Sequence, residues 1–142
     1  MRRFIIISIA SGVLFGLLDG FIHANPVAVN LYAVFIPLAR QSINVPAGIA
    51  IDLLYGFILA GLFLLLYQSL PGSTGVGKGV AFAFIVWFLR VVMGAASQWM
   101  MFDIPEATLL YTLASGLFEM LILGIIYGAT LKPGMIPQRG VQ

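Results

Sequence analysis

Five ionisable side chains stand inside stretches that are otherwise almost wholly apolar: Asp19, His23, Asp52, Arg90 and Glu119. On a helix His23 falls one turn after Asp19 and on the same face. A carboxylate beside an imidazole suits a proton relay, and an Arg among carboxylates suits an ion pair or a polar-solute site. Each such group costs about 2.5–3.5 kcal/mol at the centre of a membrane helix on insertion scales, so unpaired exposure to lipid is not expected. The simplest cluster has Arg90 held by Glu119, or else by Asp19, with Asp52 and His23 nearby. Three acids against one Arg leave an excess of negative charge. A protonated carboxyl, a protonated His23, a bound cation or a water-filled cavity must meet it. The cluster therefore reads as a proton relay or small polar-solute site, or as an ion pair that fixes helix register and does nothing more.

Other chemistries find little support. The 142 residues include no Cys and a single His. Disulfides, thiolate nucleophiles and Cys-based metal sites are therefore excluded, and Asp19 with His23 supplies only two ligands at i, i+4. No metal, haem or other cofactor is expected. No Ser is placed beside His23, so no catalytic residue is assigned. Gly72 to Gly79 reads as a turn rather than a phosphate loop, because no strand precedes it. The formal charge of +2 comes from basic residues near chain ends and turns and is no nucleic-acid signature.

These residues need helices long enough to cross a bilayer to position them. With 61% hydrophobic and 8% charged residues and a mean hydropathy of +1.08, the chain cannot hide its apolar surface in a water-soluble fold of this size. A span needs roughly 20 residues at about 1.5 Å each. Four stretches qualify, at about 4–24, 47–67, 79–101 and 107–131. The expected fold is an all-α integral membrane four-helix bundle, one membrane domain over 1–142 with a polar tail at 132–142. Ser69 to Gly75 is a turn signal, and Pro105 with Glu106 suits the start of the last helix. Lys132-Pro133-Gly134 stops it.

The segment from Asn25 to Val45 is too short to span. It reads as a short interfacial or re-entrant helix, ended by Pro37 or Arg40, or as a loop packed on the bundle. Arg2, Arg3, Lys78, Lys132 and Arg139 fall on one side of the membrane and Arg40 alone on the other, with Asp103 and Glu106. That bias places both termini in the cytoplasm of a cell whose cytoplasmic membrane holds the chain. Arg2-Arg3 and the apolar run after them also have the outline of a signal peptide, with Ile22-His23-Ala24 as a weak cleavage site. The length of the run, Asp19 within it and its glycine-spaced face argue for a retained span. Trp99 and Tyr32 lie near the outer boundary, and Trp87 lies deeper.

Sliding the chain by 67 residues pairs Gly12 with Gly79, Phe15 with Phe82, His23 with Arg90 and Asp52 with Glu119, with eleven identities over the 55 positions from 11 to 65. This reads as two tandem two-helix repeats in parallel orientation, or as shared composition. Gly12, Gly16 and Gly20 line one face of the first helix, Gly124 and Gly128 do so in the fourth, and Gly56 and Gly61 are spaced more loosely in the second. Small residues at such spacing allow close helix packing, within the bundle or between copies.

Four spans with an acid in the first resemble the small multidrug transporters in outline. Here the acid is Asp19 rather than Glu, an Arg stands mid-span, and the first connection is far longer, so no function is carried over. The leading expectation is a small carrier or channel component with a polar intramembrane site for a proton, ion or small solute. Its partners would be the lipid bilayer and further copies or other membrane subunits. The other expectations are a non-catalytic subunit of a larger membrane complex and a membrane enzyme acting on a lipid-borne substrate.

Overall fold

The computed structural model describes residues 2–40 and 42–132. Gln41, Arg139, the Pro133-Gly134 part of the stop signal and the rest of the polar tail lie outside the described residues. Among those described, regular structure is entirely helical: α1 (Arg2–Ala24), α2 (Pro26–Leu31), a 3-10 helix (Tyr32–Leu38), α3 (Val45–Leu66), α4 (Gly75–Trp87), a π-helical turn (Phe88–Val92), α5 (Met93–Met101) and α6 (Glu106–Thr130). Helix α4, the π turn and α5 run on as one rod, Gly75–Met101. With α1, α3 and α6 this makes four helices long and apolar enough to cross a membrane.

Local chemistry sets the boundaries. Asn25 accepts a hydrogen bond from the Ala28 N–H and Asn44 one from the Ala47 N–H, and each precedes a Pro in the first turn of its helix. Thr74 accepts from the Gly77 N–H and starts the third long helix at Gly75. The expected Gly72–Gly79 turn is therefore shorter than the glycines suggest, because a capping hydroxyl outweighs them. Gly72, at φ +122°, makes the reversal that an L side chain resists. Lys78 lies inside the helix rather than in the loop. Its Nζ donates to the Tyr67 and Leu70 carbonyls at 2.7 and 3.0 Å, satisfying acceptors just past the end of α3. Pro105 caps α6 instead of lying in its first turn. The 25–45 segment is not one helix: α2 tightens into the 3-10 helix, and Pro37 sits inside that helix without ending it.

The long helices pack as two hairpins, α1 with α3 and α4 with α6, joined mainly where α1 meets α6. Glycines make each crossing. A methyl group on Gly12 would come within 2.8 Å of Leu53 Cα, and one on Gly56 within 2.8 Å of Gly12 Cα. Gly124 meets the Gly79 carbonyl, and Gly128 that of Gly75. Gly20 and Gly61 have nothing within 4 Å, so neither joins these seams. Phe63 and Tyr127 stack in the centre and Phe82 meets both edge-to-face, with Ile7, Phe15, Met120 and Leu123 around them. Only 22% of each long helix's apolar window is buried within the chain, and Phe21, Leu65 and Met100 are among the side chains facing outward.

Candidate functional site

Arg90 lies in the π turn. One extra residue in a helical turn rotates the rest of the helix about its axis and frees backbone from the regular ladder, and such turns recur at functional sites. The guanidinium stands at the junction of the two hairpins. Its Nη1 is 3.4 Å from Glu119 Oε2 on α6, a long ion pair, and its Cζ is 4.8 Å from the ring centres of both Phe15 on α1 and Tyr55 on α3. Those two rings stack on each other at 5.2 Å. Arg90 thus has a charge partner on one side and aromatic faces on the other. The Glu119 side chain is 4% exposed and that of Arg90 31%.

His23 sits at the mouth of the same site. Its Nδ1 is 2.9 Å from the Asp19 carbonyl oxygen and 3.3 Å from Asp19 Oδ1. A carbonyl and a carboxylate both accept, so Nδ1 carries a proton, and in the neutral ring Nε2 is the acceptor. Both side chains are 48% exposed. The His23 ring lies 5.0 Å from that of Tyr32, whose hydroxyl bonds Thr112 at 2.8 Å. Because Thr112 donates to the Thr108 carbonyl, Tyr32 is the donor in that pair. Burial pushes the Tyr32 hydroxyl above the ordinary phenol range, with the Thr112 bond opposing it, so Tyr32 stays neutral.

These groups line one cavity of about 220 Å³. Asp19, His23, Arg90 and Glu119 contribute to it, as do Tyr32, Gln98, Thr112 and Ser115. Gly94, Ala95 and Gly116 give it room. The end of the bundle that carries α2 is tied together around it: Tyr111 donates to the Ile22 carbonyl and accepts from Asn25, and Thr108 donates to the Leu31 carbonyl.

Four of the five expected residues share this cavity. Asp52 does not. It lines a separate apolar groove of about 350 Å³ between α1 and α3, against Gly16, with Val13, Leu17, Ile49 and Leu53. The crossings of the two hairpins differ in spacing by one residue. Gly56 follows its crossing partner Gly12 by 44 residues, whereas Gly124 follows Gly79 by 45. Asp52 therefore stands four residues before its crossing glycine and Glu119 five, a difference of about 100° around a helix of 3.6 residues per turn. Gly16 accordingly packs on a carboxylate rather than on a neighbouring backbone.

Compared with protein-family models, with curated proteins and with solved structures, the chain matches none.

Tyr32, Gln98, Thr112 and Ser115 are not candidates on sequence grounds alone, although two signals point to the last three. Thr108, Thr112, Ser115 and Glu119 follow the +4, +3, +4 spacing of one helix face, and Gln98 lies two turns after Arg90. Trp87 is held by protein, its indole N–H donating to the Leu113 carbonyl at 2.9 Å. Among the described residues no group of three His, Cys, Asp or Glu side chains could hold a metal ion. The hydroxyls nearest His23 are engaged elsewhere: Tyr32 with Thr112, Thr112 with the Thr108 carbonyl, and Ser115 with the Tyr111 carbonyl at 2.7 Å. The arrangement can exchange protons and hold a small polar solute, but no hydroxyl is aligned on the imidazole as a nucleophile.

Proposed function

We propose that this chain is a four-span protein of a cytoplasmic membrane, with both termini inside, that works as a small carrier or channel component. Its polar cavity receives a proton, ion or small polar solute from the outer side. The observation that carries this reading is the cavity itself. Eight polar or ionisable side chains converge on a space of about 220 Å³ within helices whose other surfaces are apolar. A scaffold subunit needs no such space, and an ion pair serving only register would be packed shut.

The membrane assignment is supported by the outward-facing apolar side chains, and the orientation by the basic residues. Val27, Ile36, Leu38 and Ile43 stand exposed along the 25–45 segment, which suits a stretch lying in the interface. The duplication is supported by the equivalent crossings at Gly12 with Gly56 and Gly79 with Gly124, which the offset of 67 reproduces to within one residue.

Labelling with a membrane-impermeant thiol reagent tests the proposal. Ser115→Cys, one turn from Glu119, should react from the outside of right-side-out vesicles, and Ser73→Cys only from the inside. A Ser115→Cys variant that folds but reacts from neither side would mean a closed cluster and would overturn the carrier reading. Reaction of both positions from the same side would overturn the topology.

A further inference from the structure

We infer that the species handled by this site is the proton, and that Ser8, Ser11 and Tyr127 form the inner half of its route. The inference rests on the carrier reading and narrows it. Among the described residues three buried side-chain atoms have no hydrogen-bond partner: Ser8 Oγ, Glu119 Oε1 and Tyr127 OH. Buried polar atoms are nearly always paired, so each exception calls for a reason. These are not scattered. Ser8 and Ser11 lie on α1 and Tyr127 on α6, the two helices whose contact joins the hairpins, and all three residues are at most 2% exposed. Ser11 donates to the Ser8 carbonyl at 3.0 Å and stands close enough to the Tyr127 hydroxyl for a weak contact, short of a well-formed hydrogen bond.

Their position along the helices gives the direction. Helix α1 runs outward and α6 inward. Ser11 precedes Asp19 by eight residues and Tyr127 follows Glu119 by eight. At 1.5 Å per residue both steps are about 12 Å toward the cytoplasmic side. The inner hydroxyls thus continue the line from the outer cavity. Between them lie Phe15, Phe82, Met120 and Leu123, each at most 3% exposed. A hydrated ion or an organic solute has no room there. A proton needs only groups that both donate and accept, as Ser and Tyr hydroxyls and water do; crossing about 12 Å at about 2.8 Å per hydrogen bond takes a short file of waters, admitted transiently by side-chain motion.

Glu119 Oε1 supports the same choice. Its residue lines the cavity, yet the atom itself is buried, which a proton can reach and a bulkier ligand cannot. The charged groups facing Glu119 are Arg90 from the π turn and Asp19 and His23 from α1. In the proposed step a proton from outer water passes by His23 and Asp19 to the Glu119 carboxylate. It leaves by hydroxyl exchange, in which Tyr127 accepts one proton on its oxygen as it releases its own. One proton enters outside, one leaves inside, and no group is consumed.

The full chain in liposomes containing a trapped pH dye, energised by a potassium gradient and valinomycin, tests this. The parent should acidify the lumen faster than protein-free liposomes do. Glu119→Gln, Tyr127→Phe and Ser8→Ala should each slow this about tenfold or more, as losing one hydrogen-bonded step in a barrier would. Ser8→Ala should meanwhile unfold in detergent no earlier than the parent, because the hydroxyl it removes is unpaired, and Tyr127→Phe should lose little, because its hydroxyl has only a weak contact with Ser11. No proton flux in the parent, while Ser115→Cys still labels from outside, would overturn the proton assignment and leave the carrier reading standing. Flux abolished by Glu119→Gln but unchanged in both folded hydroxyl variants would overturn the inner route.

Discussion

Replacing Arg90 by Leu isolates the energetics of the site. The change leaves the Glu119 carboxylate buried without a partner, and breaking a buried pair from one side costs about 3–5 kcal/mol. It also removes two contacts between the guanidinium and aromatic faces, at 4.8 Å from Phe15 and from Tyr55. Such contacts are worth about 0.5–1 kcal/mol each where solvent reaches the cation, as it does for Arg90. The new Leu returns about 1–2 kcal/mol through apolar burial. The net loss expected is about 4 kcal/mol, within about 2–6. Adding Glu119→Gln removes the stranded charge and should recover about half of it, leaving a neutral amide with neither polar atom bonded to protein. Glu119→Gln alone should cost less than Arg90→Leu, because Arg90 keeps access to the cavity and to both rings. Equilibrium unfolding in mixed anionic and neutral detergent micelles gives the four free energies, and their non-additivity gives the coupling. An Arg90→Leu protein as stable as its parent, or a second change that only adds damage, would refute the pairing.

Two other perturbations test the frame that holds the site. Gly124→Ala pushes a methyl group into the Gly79 carbonyl and should cost about 1–3 kcal/mol as overpacking, whereas Gly20→Ala, with nothing within 4 Å, should be neutral or stabilising by helix propensity; equal effects in the same unfolding assay would contradict the crossing geometry. Lys78→Met removes both hydrogen bonds to the end of α3 and should cost about 1–3 kcal/mol, with Lys78→Arg restoring part of the loss; no change in the unfolding midpoint would mean that water serves those carbonyls equally well.

The helices can be read from the chain because their signal is collective. Long apolar runs, a turn after Ser69 and a Pro before Glu106 locate all four within a few residues of the observed ends. The largest discrepancy lies at Thr74, where one hydroxyl outweighs several glycines. The site is less completely legible because its determinants are angular. Charge cost alone predicts that Arg90 meets an acid, and Glu119 is the acid it meets. Charge cost cannot show that the crossings differ by one residue or that Asp52 lines another groove. Nor can it show the π turn at Phe88–Val92, which has no Pro and no glycine within it. Such a turn arises from packing between helices, which periodicity within one helix does not record.

Arg90 also links the chemistry of the cavity to the arrangement of the helices. The hairpins are tight internally, where glycines let backbones touch, and meet one another through fewer groups. At that meeting the guanidinium is held from the first hairpin by the rings of Phe15 and Tyr55 and from the second by the Glu119 carboxylate. The two attachments respond differently to charge. A neutral Glu119 no longer attracts the guanidinium as an ion, while the aromatic faces bind it as before. Asp19, which lines the same cavity, and Asp52 in the neighbouring groove, both on the first hairpin, are then the carboxylates left to draw it. The protonation state of one buried residue therefore biases which hairpin carries the Arg90 charge. That is the differential interaction the proposed carrier would need for loading of its site to shift one helical pair against the other.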